Sequence, residues 1–123
     1  MSQRVAVLGA STKRDRYSNQ AVRLLREYGH EVIPVNPREK VIEDIPVVEN
    51  ISKLEGAIDS LTIYLNPQLS SKMADQIVAL NPGRVILNPG AESPELEKVL
   101  DAKGIEYLHA CTLVMLRTDQ FDT

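Results

Sequence analysis

Near its amino terminus the chain reads VAVLGASTK at residues 5–13, where a short apolar run ends in a glycine and a polar loop. A nearly continuous apolar run is typical of a strand covered on both faces, as the strands of parallel sheets are. Beyond the loop, apolar residues recur at helical spacing from Ala21 to Tyr28, and Gly29 stands where a left-handed C-terminal cap belongs. This segment is therefore predicted to form a strand, a loop and a helix.

Further apolar runs predict four more strands, at residues 32–35, 61–65, 85–87 and 105–108. Helical patterns separate them: one begins at Asn66-Pro67 and ends at Asn81-Pro82-Gly83, and another runs from Ser93 to Gly104. Alternating strands and helices indicate βαβ units, and right-handed crossovers leave few topologies. We predict one α/β domain with a Rossmann-like, doubly wound parallel sheet of about five strands in the order 3-2-1-4-5.

Two regions are less regular. Residues 41–48 are expected to be extended, and a helical turn is expected near residues 51–54. The apolar stretch 111–116 predicts a final short helix. The domain is placed at residues 1–117, and residues 118–123 are expected to form a mobile or loosely docked tail.

Composition excludes several classes of protein. The 123 residues include 14 basic and 17 acidic side chains, which gives a net charge of −3. The chain therefore lacks the domain-wide positive potential of a protein that coats nucleic acid. Its 43% of apolar residues is enough for a continuous core. No apolar run approaches the roughly 18 residues of a membrane span, and no signal peptide is recognised, so a cytoplasmic location is expected. Because the chain has one cysteine, it cannot form an internal disulfide. Two histidines and one cysteine lie at scattered positions, so no structural zinc site is expected.

Ligands of doubly wound sheets bind at the carboxyl ends of the strands, where the strand order reverses. The most informative strand end here is the first loop, Gly9 to Asn19, which holds three basic residues and one acidic residue. Glycine permits close backbone approach, and the helix N-terminus that follows favours an anion. The loop is interpreted as a phosphate cradle, with a solvated loop and a turn glycine as the alternative.

The type of phosphate ligand is narrowed by the known phosphate-binding motifs that the loops lack and by the residues at the end of the second strand. No P-loop signature occurs, and Ser11 and Arg14 stand where the dinucleotide fingerprint requires its next two glycines. At the end of the second strand, an NAD site needs an acidic residue, whereas this chain has Asn36, with Arg38 two residues on. A cation there suits a phosphate on the ribose, so NADP or a 3′-phosphorylated nucleotide fits better than NAD.

Two motifs, VLGASTK at residues 7–13 and GHEVIPVNP at residues 29–37, resemble the small stand-alone CoA-binding domain family, over essentially the whole chain. Its fold is that of the N-terminal domain of the succinyl-CoA synthetase α subunit. The resemblance implies that coenzyme A or an acyl-CoA binds through Ser11-Thr12-Lys13, Arg38 and Asn88-Pro89-Gly90. Arg38 replaces the family's lysine, and the synthetase's second domain is absent, so only binding carries over.

The site is predicted as follows. Lys13 and Arg38, with Arg16 less directly, meet phosphates, while backbone N–H groups of the first loop and of Ser18-Asn19 hold the pyrophosphate. The nucleotide side is lined by residues 36 and 64–66, and residues 88–90 lie nearer the pantetheine. The full predicted set is Gly9, Ala10, Ser11, Thr12, Lys13, Arg16, Ser18, Asn19, Asn36, Pro37, Arg38, Tyr64, Leu65, Asn66, Asn88, Pro89, Gly90 and Cys111.

Binding without catalysis is the expected function, with small-molecule nucleotides as partners and no nucleic acid or membrane. The alternatives are an NADP-linked or acyl-transfer enzyme component, which would depend on His109 and Cys111, and a CoA-responsive regulatory module with a protein partner or a second copy. Cys111 is either a small buried hydrophobe or a ligand-facing thiol able to form a mixed disulfide with CoA. His30 is expected at the surface.

Overall fold

A computed structural model describes residues 2–122 of the chain. Its elements, in order, are β1 (Arg4–Leu8), α1 (Tyr17–Glu27), β2 (Glu31–Val35), β3 (Val41–Ile42), β4 (Ile45–Pro46), a 3-10 helix (Ile51–Lys53), β5 (Ser60–Ile63), α2 (Pro67–Ser71), α3 (Ala74–Leu80), β6 (Arg84–Leu87), α4 (Pro94–Lys103), β7 (Tyr107–His109) and α5 (Thr112–Arg117). Five strands form one parallel sheet in the order β2-β1-β5-β6-β7, and β3 and β4 form a separate antiparallel hairpin. The predicted Rossmann-like α/β class is confirmed.

The sheet is covered on both faces because its central strands alternate between two apolar layers. Along β1, Ala6 and Leu8 belong to the core cluster that includes residues of α3 and α4. Val5 and Val7 belong to the cluster that includes residues of α1 and α5. All four side chains are at most 3% exposed. This two-sided burial explains why the strand reads as an unbroken apolar run.

Short-range capping signals place several helix ends where the sequence predicts them. The Ser93 hydroxyl accepts a hydrogen bond from Leu96 N at the start of α4 (3.2 Å), and Gly104 ends that helix with φ +69°. Asn66 similarly caps α2, accepting from Leu69 N at 3.0 Å. The single helix predicted after Asn66 is instead two short helices, because the chain turns at residues 72–73 between α2 and α3.

The predicted strand order 3-2-1-4-5 is wrong. The third of the five predicted strands, β5, pairs with β1 on the side away from β2, which gives 2-1-3-4-5 in the same terms. The outer edge of β2 is occupied by the chain after β4, where Val48 N donates to Pro34 O (3.0 Å) and Asn36 N donates to Val48 O (3.1 Å). The reversal of strand order therefore lies between β1 and β5, and the ligand crevice is expected there.

The connection from β2 to β5 contains the extended segment and the helical turn that the sequence predicts. Residues 41–48 include the hairpin of β3 and β4, and the predicted helical turn is the 3-10 helix. At the hairpin tip, Glu43 and Asp44 have positive φ angles of 51° and 64°. Positive φ at both central residues is typical of a tight hairpin turn.

The chain end packs back onto the amino edge of the sheet. Phe121 is 2% exposed and its ring lies against His30, with ring centres 5.0 Å apart. Arg84 donates from its Nη2 atom to the carbonyl oxygen of Phe121 (2.6 Å). The predicted surface position of His30 is wrong: it is 6% exposed, and its Nδ1 atom accepts a hydrogen bond from Gln3 N (3.0 Å). Within the expected mobile or loosely docked tail, Phe121 is thus docked on the domain, whereas residues 118–120 and 122 are exposed. Thr123 lies outside the described residues.

Replacing Phe121 by alanine should lower the free energy of unfolding by about 3 kcal/mol, because a buried aromatic ring is removed and a cavity is left. Val114, which is 54% exposed, supplies the control: Val114→Ala should change the stability by less than about 0.5 kcal/mol. Urea denaturation of both variants measures the difference. Equal stabilities for the two variants would contradict the docking of the chain end.

Candidate functional site

The first loop is fixed to the neighbouring strand by its own backbone. Gly9, with φ +88°, and Ala10 both donate their N–H groups to the carbonyl oxygen of Val35, at 3.2 and 3.3 Å. Lys13 N donates to the Ser11 hydroxyl (3.1 Å). These three N–H groups, which the sequence suggested as pyrophosphate donors, are therefore engaged within the protein. The N–H groups of Ser11 and Thr12 have no partner within residues 2–122.

The N-terminus of α1 adjoins this loop and lacks a side-chain cap. Arg16 is the N-cap residue but makes no capping hydrogen bond, and the first helical bond of the backbone runs from Gln20 N to Arg16 O (3.0 Å). Among the residues that the structure describes, the N–H groups of residues 17–19 find no acceptor. Unpaired N–H groups at a helix N-terminus, with the helix dipole behind them, favour an anion.

Asn19 holds the loop in place from beneath. It is fully buried, and its Nδ2 atom donates to Ser11 O (2.9 Å) and to Glu43 Oε2 (3.1 Å). Its Oδ1 atom accepts from Arg23 Nε (2.8 Å). The side chain is thus engaged within the protein and stabilises the loop rather than contacting a ligand.

Asn36 joins the ends of β1 and β2. Its Nδ2 atom donates to Ala10 O (2.8 Å), and its Oδ1 atom accepts from the N–H groups of Arg38 (2.7 Å) and Glu39 (3.0 Å). The amide therefore fixes the turn that carries Arg38 rather than reaching into a ligand space. The Arg38 side chain is exposed, and its guanidinium makes no ion pair within the described chain.

Asn88 is buried below the carboxyl edge of the sheet, with 2% exposure. Its Nδ2 atom donates to Thr62 Oγ1 (2.7 Å) and to Ile63 O (2.9 Å), and its Oδ1 atom accepts from Thr112 N (2.9 Å). It thereby links β5 to the start of α5. Pro89 and Gly90, the next two residues, are exposed at the edge, and the N–H of Gly90 donates to Glu92 Oε1 (2.9 Å).

Tyr64 follows β5 and points its hydroxyl into the protein. The Oη atom is buried, and no group within residues 2–122 meets it in hydrogen-bonding geometry. Burial raises the pKa of Tyr64 to about 12, and the nearby Thr112 hydroxyl offsets part of that shift. The phenol is therefore a neutral hydrogen-bond donor throughout the physiological pH range. Cys111, the half-buried N-cap residue of α5, lies close enough to influence it electrostatically.

Two cavities open at this edge, one on each side of Gly9. The larger, of about 350 Å³, is mainly aliphatic and is lined by Leu8, Gly9, Val35, Pro37, Glu49, Asn50, Leu65, Leu69, Lys72, Met73 and Gln76. The smaller, of about 220 Å³, is lined by Gly9, Ser11, Arg16, Tyr17, Ser18 and Tyr64. The larger cavity has the size and the mainly apolar lining that are typical of small-molecule sites, whereas the smaller one is more polar.

The sequence model of a family described as "CoA binding domain" matches residues 3–117. The chain belongs to this family of CoA-binding domains. A crystal structure of an uncharacterized protein is 37% identical to it, with a TM-score of 0.91, and the match covers 98% of this chain and 99% of that one. Uncharacterized protein YneT of Bacillus subtilis is 25% identical over 103 residues, which is 84% of this chain and 76% of that protein.

The fold also occurs inside a larger enzyme. A dinucleotide-forming acetyl-coenzyme A synthetase 1 of Ca. Korarchaeum cryptofilum, solved with phosphate and ADP, superposes with a TM-score of 0.77 at 19% identity. The match covers 88% of this chain and 25% of the synthetase chain. At this identity the likeness shows a shared fold only.

The structure brings seven of the predicted site residues of this CoA-binding domain into the cavity walls: Gly9, Ser11, Arg16, Ser18, Pro37, Tyr64 and Leu65. Asn36 lines neither cavity, and its amide instead joins the turn before Arg38 to Ala10. Lys13, Thr12, Arg38, Asn66, Pro89 and Gly90 are exposed at the same edge but line neither cavity, and Ala10, Asn19, Asn88 and Cys111 line neither. His109 is also outside both, with its Nε2 atom 3.0 Å from Glu97 Oε1.

Sequence analysis missed several lining residues. Leu69 lies on α2, Met73 is the N-cap residue of α3 and Gln76 lies on α3. The sequence predicts a helix in this region but does not assign these three residues to the site. Glu49 and Asn50 come from an irregular segment with no periodic signal, so only the three-dimensional fold places them at the cavity. Within residues 2–122, no group of His, Cys, Asp and Glu side chains is arranged to hold a metal ion, and every helix is too short or too polar to cross a membrane.

Replacing Gly9 by alanine tests the close approach between the first loop and the chain after β5. A Cβ atom there would lie 3.0 Å from Leu65 Cδ2 and 3.2 Å from the carbonyl carbon of Tyr64, at a positive φ. Gly29 shares the positive φ but has open space around it, so Gly29→Ala isolates the backbone cost of about 1–2 kcal/mol. Gly9→Ala should lose about 1–3 kcal/mol more. Equal losses in urea denaturation would show that the contact is not restrictive.

Proposed function

We propose that this domain binds coenzyme A, or an acyl-CoA, at the carboxyl edge of its sheet and does not itself transform the ligand. The observation that carries the proposal is the pair of cavities that meet at Gly9, next to the uncapped N-terminus of α1. Membership of a CoA-binding domain family supports the choice of ligand.

The shape of coenzyme A corresponds to this arrangement. The ligand has a flat adenine with its ribose at one end, a diphosphate in the middle and a long pantetheine arm with two amides at the other end. The aliphatic cavity between Pro37, Leu65 and Met73 suits the adenine. The free N–H groups at the start of α1 suit the diphosphate, because they are unpaired donors at the positive end of a helix dipole.

The unpaired cations of this corner support the same ligand. Lys13, Arg16 and Arg38 are exposed and make no ion pair within residues 2–122. Lys13 and Arg16 belong to the loop that would hold the diphosphate, whereas Arg38 follows β2, where a ribose phosphate would lie. A planar guanidinium suits a phosphate because it can donate two parallel hydrogen bonds.

Binding without chemistry is supported by the position of the reactive side chains. An acyl-transfer or hydrolytic mechanism would need a nucleophile or a general base beside the thioester. His109 and Cys111 line neither cavity, and His109 is engaged with Glu97.

Incubation with acetyl-CoA should therefore release no free thiol above the rate measured without protein. A thiol-reactive dye follows the reaction. Release that depends on protein and is lost in His109→Ala or Cys111→Ala would contradict the non-catalytic assignment and favour the enzyme alternative.

Lys13→Ala and Arg38→Ala should each weaken CoA binding by about ten- to a hundredfold, because a charge-assisted hydrogen bond contributes about 1.5–3 kcal/mol. Lys98→Ala, an exposed lysine on α4, is the matched control and should bind as the wild type does. Dephospho-CoA separates the two roles: it lacks the ribose phosphate, so Arg38→Ala should not weaken its binding further, whereas Lys13→Ala should.

Titration calorimetry measures all of these affinities. Failure of the wild-type protein to bind CoA would contradict the proposed ligand. Tighter binding of NADP than of CoA would favour the dehydrogenase-type alternative, and a loss of affinity in Lys98→Ala equal to that in Lys13→Ala would show that only overall charge matters.

A further inference from the structure

Glu43 is an acidic residue held against the loop that carries the diphosphate in the proposed function. It lies at the tip of the hairpin of β3 and β4, and its side chain is only 13% exposed. Its Oε1 atom lies 3.3 Å from Arg14 Nη1, and its Oε2 atom accepts a hydrogen bond from Asn19 Nδ2 (3.1 Å). A carboxylate at this place repels an anionic ligand and neutralises one cation of the loop. By charge alone Glu43 weakens binding, so a benefit to binding has to come from its hydrogen bonds.

The hairpin holds Glu43 against α1. Ile42, the preceding residue, is 1% exposed and belongs to the same core cluster as Val22 and Leu25 of α1. Arg26, in the last turn of α1, donates from its Nη1 atom to Glu43 O (2.6 Å). The carboxylate is therefore presented to the start of α1 at a fixed position.

Asn19 connects Glu43 to the first loop. Its buried amide has acceptors on one side and a donor on the other: Nδ2 donates to Glu43 Oε2 and to Ser11 O (2.9 Å), and Oδ1 accepts from Arg23 Nε (2.8 Å). Because the carboxylate takes one N–H of this amide, the other N–H is directed at Ser11 O. Without the carboxylate a buried N–H loses its acceptor, and the amide is no longer held in this orientation.

The Ser11 carbonyl in turn determines where the next N–H group points. In a planar trans peptide the C=O and N–H groups point in opposite directions. Because Ser11 O is directed inward to Asn19, the N–H of Thr12 is directed away from it, and this N–H has no partner within residues 2–122. The preceding peptide is held in the same way, since Ala10 O accepts from Asn36 Nδ2. Consecutive N–H groups left open by the protein are typical of backbone anion sites.

We propose that Glu43 is a positioning residue for the ligand loop: it holds the Asn19 amide so that Ser11 O points inward and the N–H of Thr12 points to the phosphates. Glu43 itself does not touch the ligand. The proposal rests on the proposed function for the identity of the ligand, whereas the hydrogen-bonded connection from hairpin to loop is present without any ligand. The effect is opposite in sign to that of charge: removal of an acidic side chain weakens the binding of an anion.

The test is the affinity of two variants at position 43 for coenzyme A. Glu43→Gly removes the side chain and keeps the turn, because glycine adopts the positive φ of 51° without strain, and it should weaken binding about tenfold. Glu43→Gln keeps an oxygen that accepts from Asn19, so it should restore the wild-type affinity. Asp44→Asn is the matched control, since the neighbouring Asp44 is exposed and also has a positive φ. It removes the same charge and should leave the affinity unchanged.

A second measurement does not depend on the ligand. In the ligand-free protein, the NMR signals of the Asn19 side-chain amide and of the Thr12 backbone N–H should shift in Glu43→Gly and stay in place in Glu43→Gln. Urea denaturation establishes that both variants are folded under the conditions of the titrations.

Weaker CoA binding in Glu43→Gly that is restored in Glu43→Gln supports the positioning role. Tighter binding in Glu43→Gly would overturn it, because Glu43 would then act by charge alone. An unchanged affinity, or an equal loss in Glu43→Gln or Asp44→Asn, would overturn it as well, and so would unshifted signals of Thr12 and Asn19 in Glu43→Gly. A wild-type protein that does not bind CoA would refute the proposed function, and the shifts in the ligand-free variants would then decide separately whether Glu43 positions the loop.

Discussion

One hydrogen-bonded contact organises this edge of the molecule: the N–H groups of Gly9 and Ala10 both point to the carbonyl oxygen of Val35. It closes the end of β1 onto the end of β2 and holds Gly9 at a φ angle that favours glycine. A second hydrogen bond joins the same two strand ends, because the Asn36 side-chain amide donates to Ala10 O. Because two N–H groups of the loop are used in this way, the donors that remain for a ligand are those of residues 11–12 and of the α1 N-terminus.

The hairpin of β3 and β4 determines which charges stay free around that loop. Glu43, at its tip, lies 3.3 Å from the Arg14 guanidinium and accepts a hydrogen bond from Asn19. The charge of Arg14, one of the three basic residues of the first loop, is thereby neutralised. Asn19, held by Glu43, in turn fixes the loop through its hydrogen bond to Ser11 O. Lys13 and Arg16 make no ion pair within the described residues 2–122. The hairpin thus contributes to the site although it lies outside the main sheet.

Features that depend on local patterns could be predicted from the sequence. The unbroken apolar run of β1 follows from burial on both faces, and the start of α4 at Ser93 and its end at Gly104 follow from capping chemistry. The motifs around the first loop and the end of β2 were sufficient to identify the CoA-binding family, which the match to residues 3–117 confirms.

Features that depend on contacts between distant residues could not be predicted in this way. The observed strand order differs from the predicted one: Val48 occupies the outer edge of β2, and β5 pairs with β1 instead. Nothing in the local sequence pattern indicates the pairing of Val48. His30 is buried because Phe121, some 90 residues later, folds back over it. Asn88 follows its strand as predicted, but its amide is directed inward to Thr62 and Thr112, a direction that only the packed structure reveals.

Backbone amide chemical shifts, recorded by NMR with and without coenzyme A, test the location of the ligand directly. The account predicts that the largest changes occur at the N–H groups of Ser11, Thr12 and residues 17–19, which have no hydrogen-bond partner within residues 2–122. The amides of Ser60 and Glu106, at the opposite edge of the sheet, should not move. A spectrum that is unchanged, or whose largest changes lie at that opposite edge, would contradict the account.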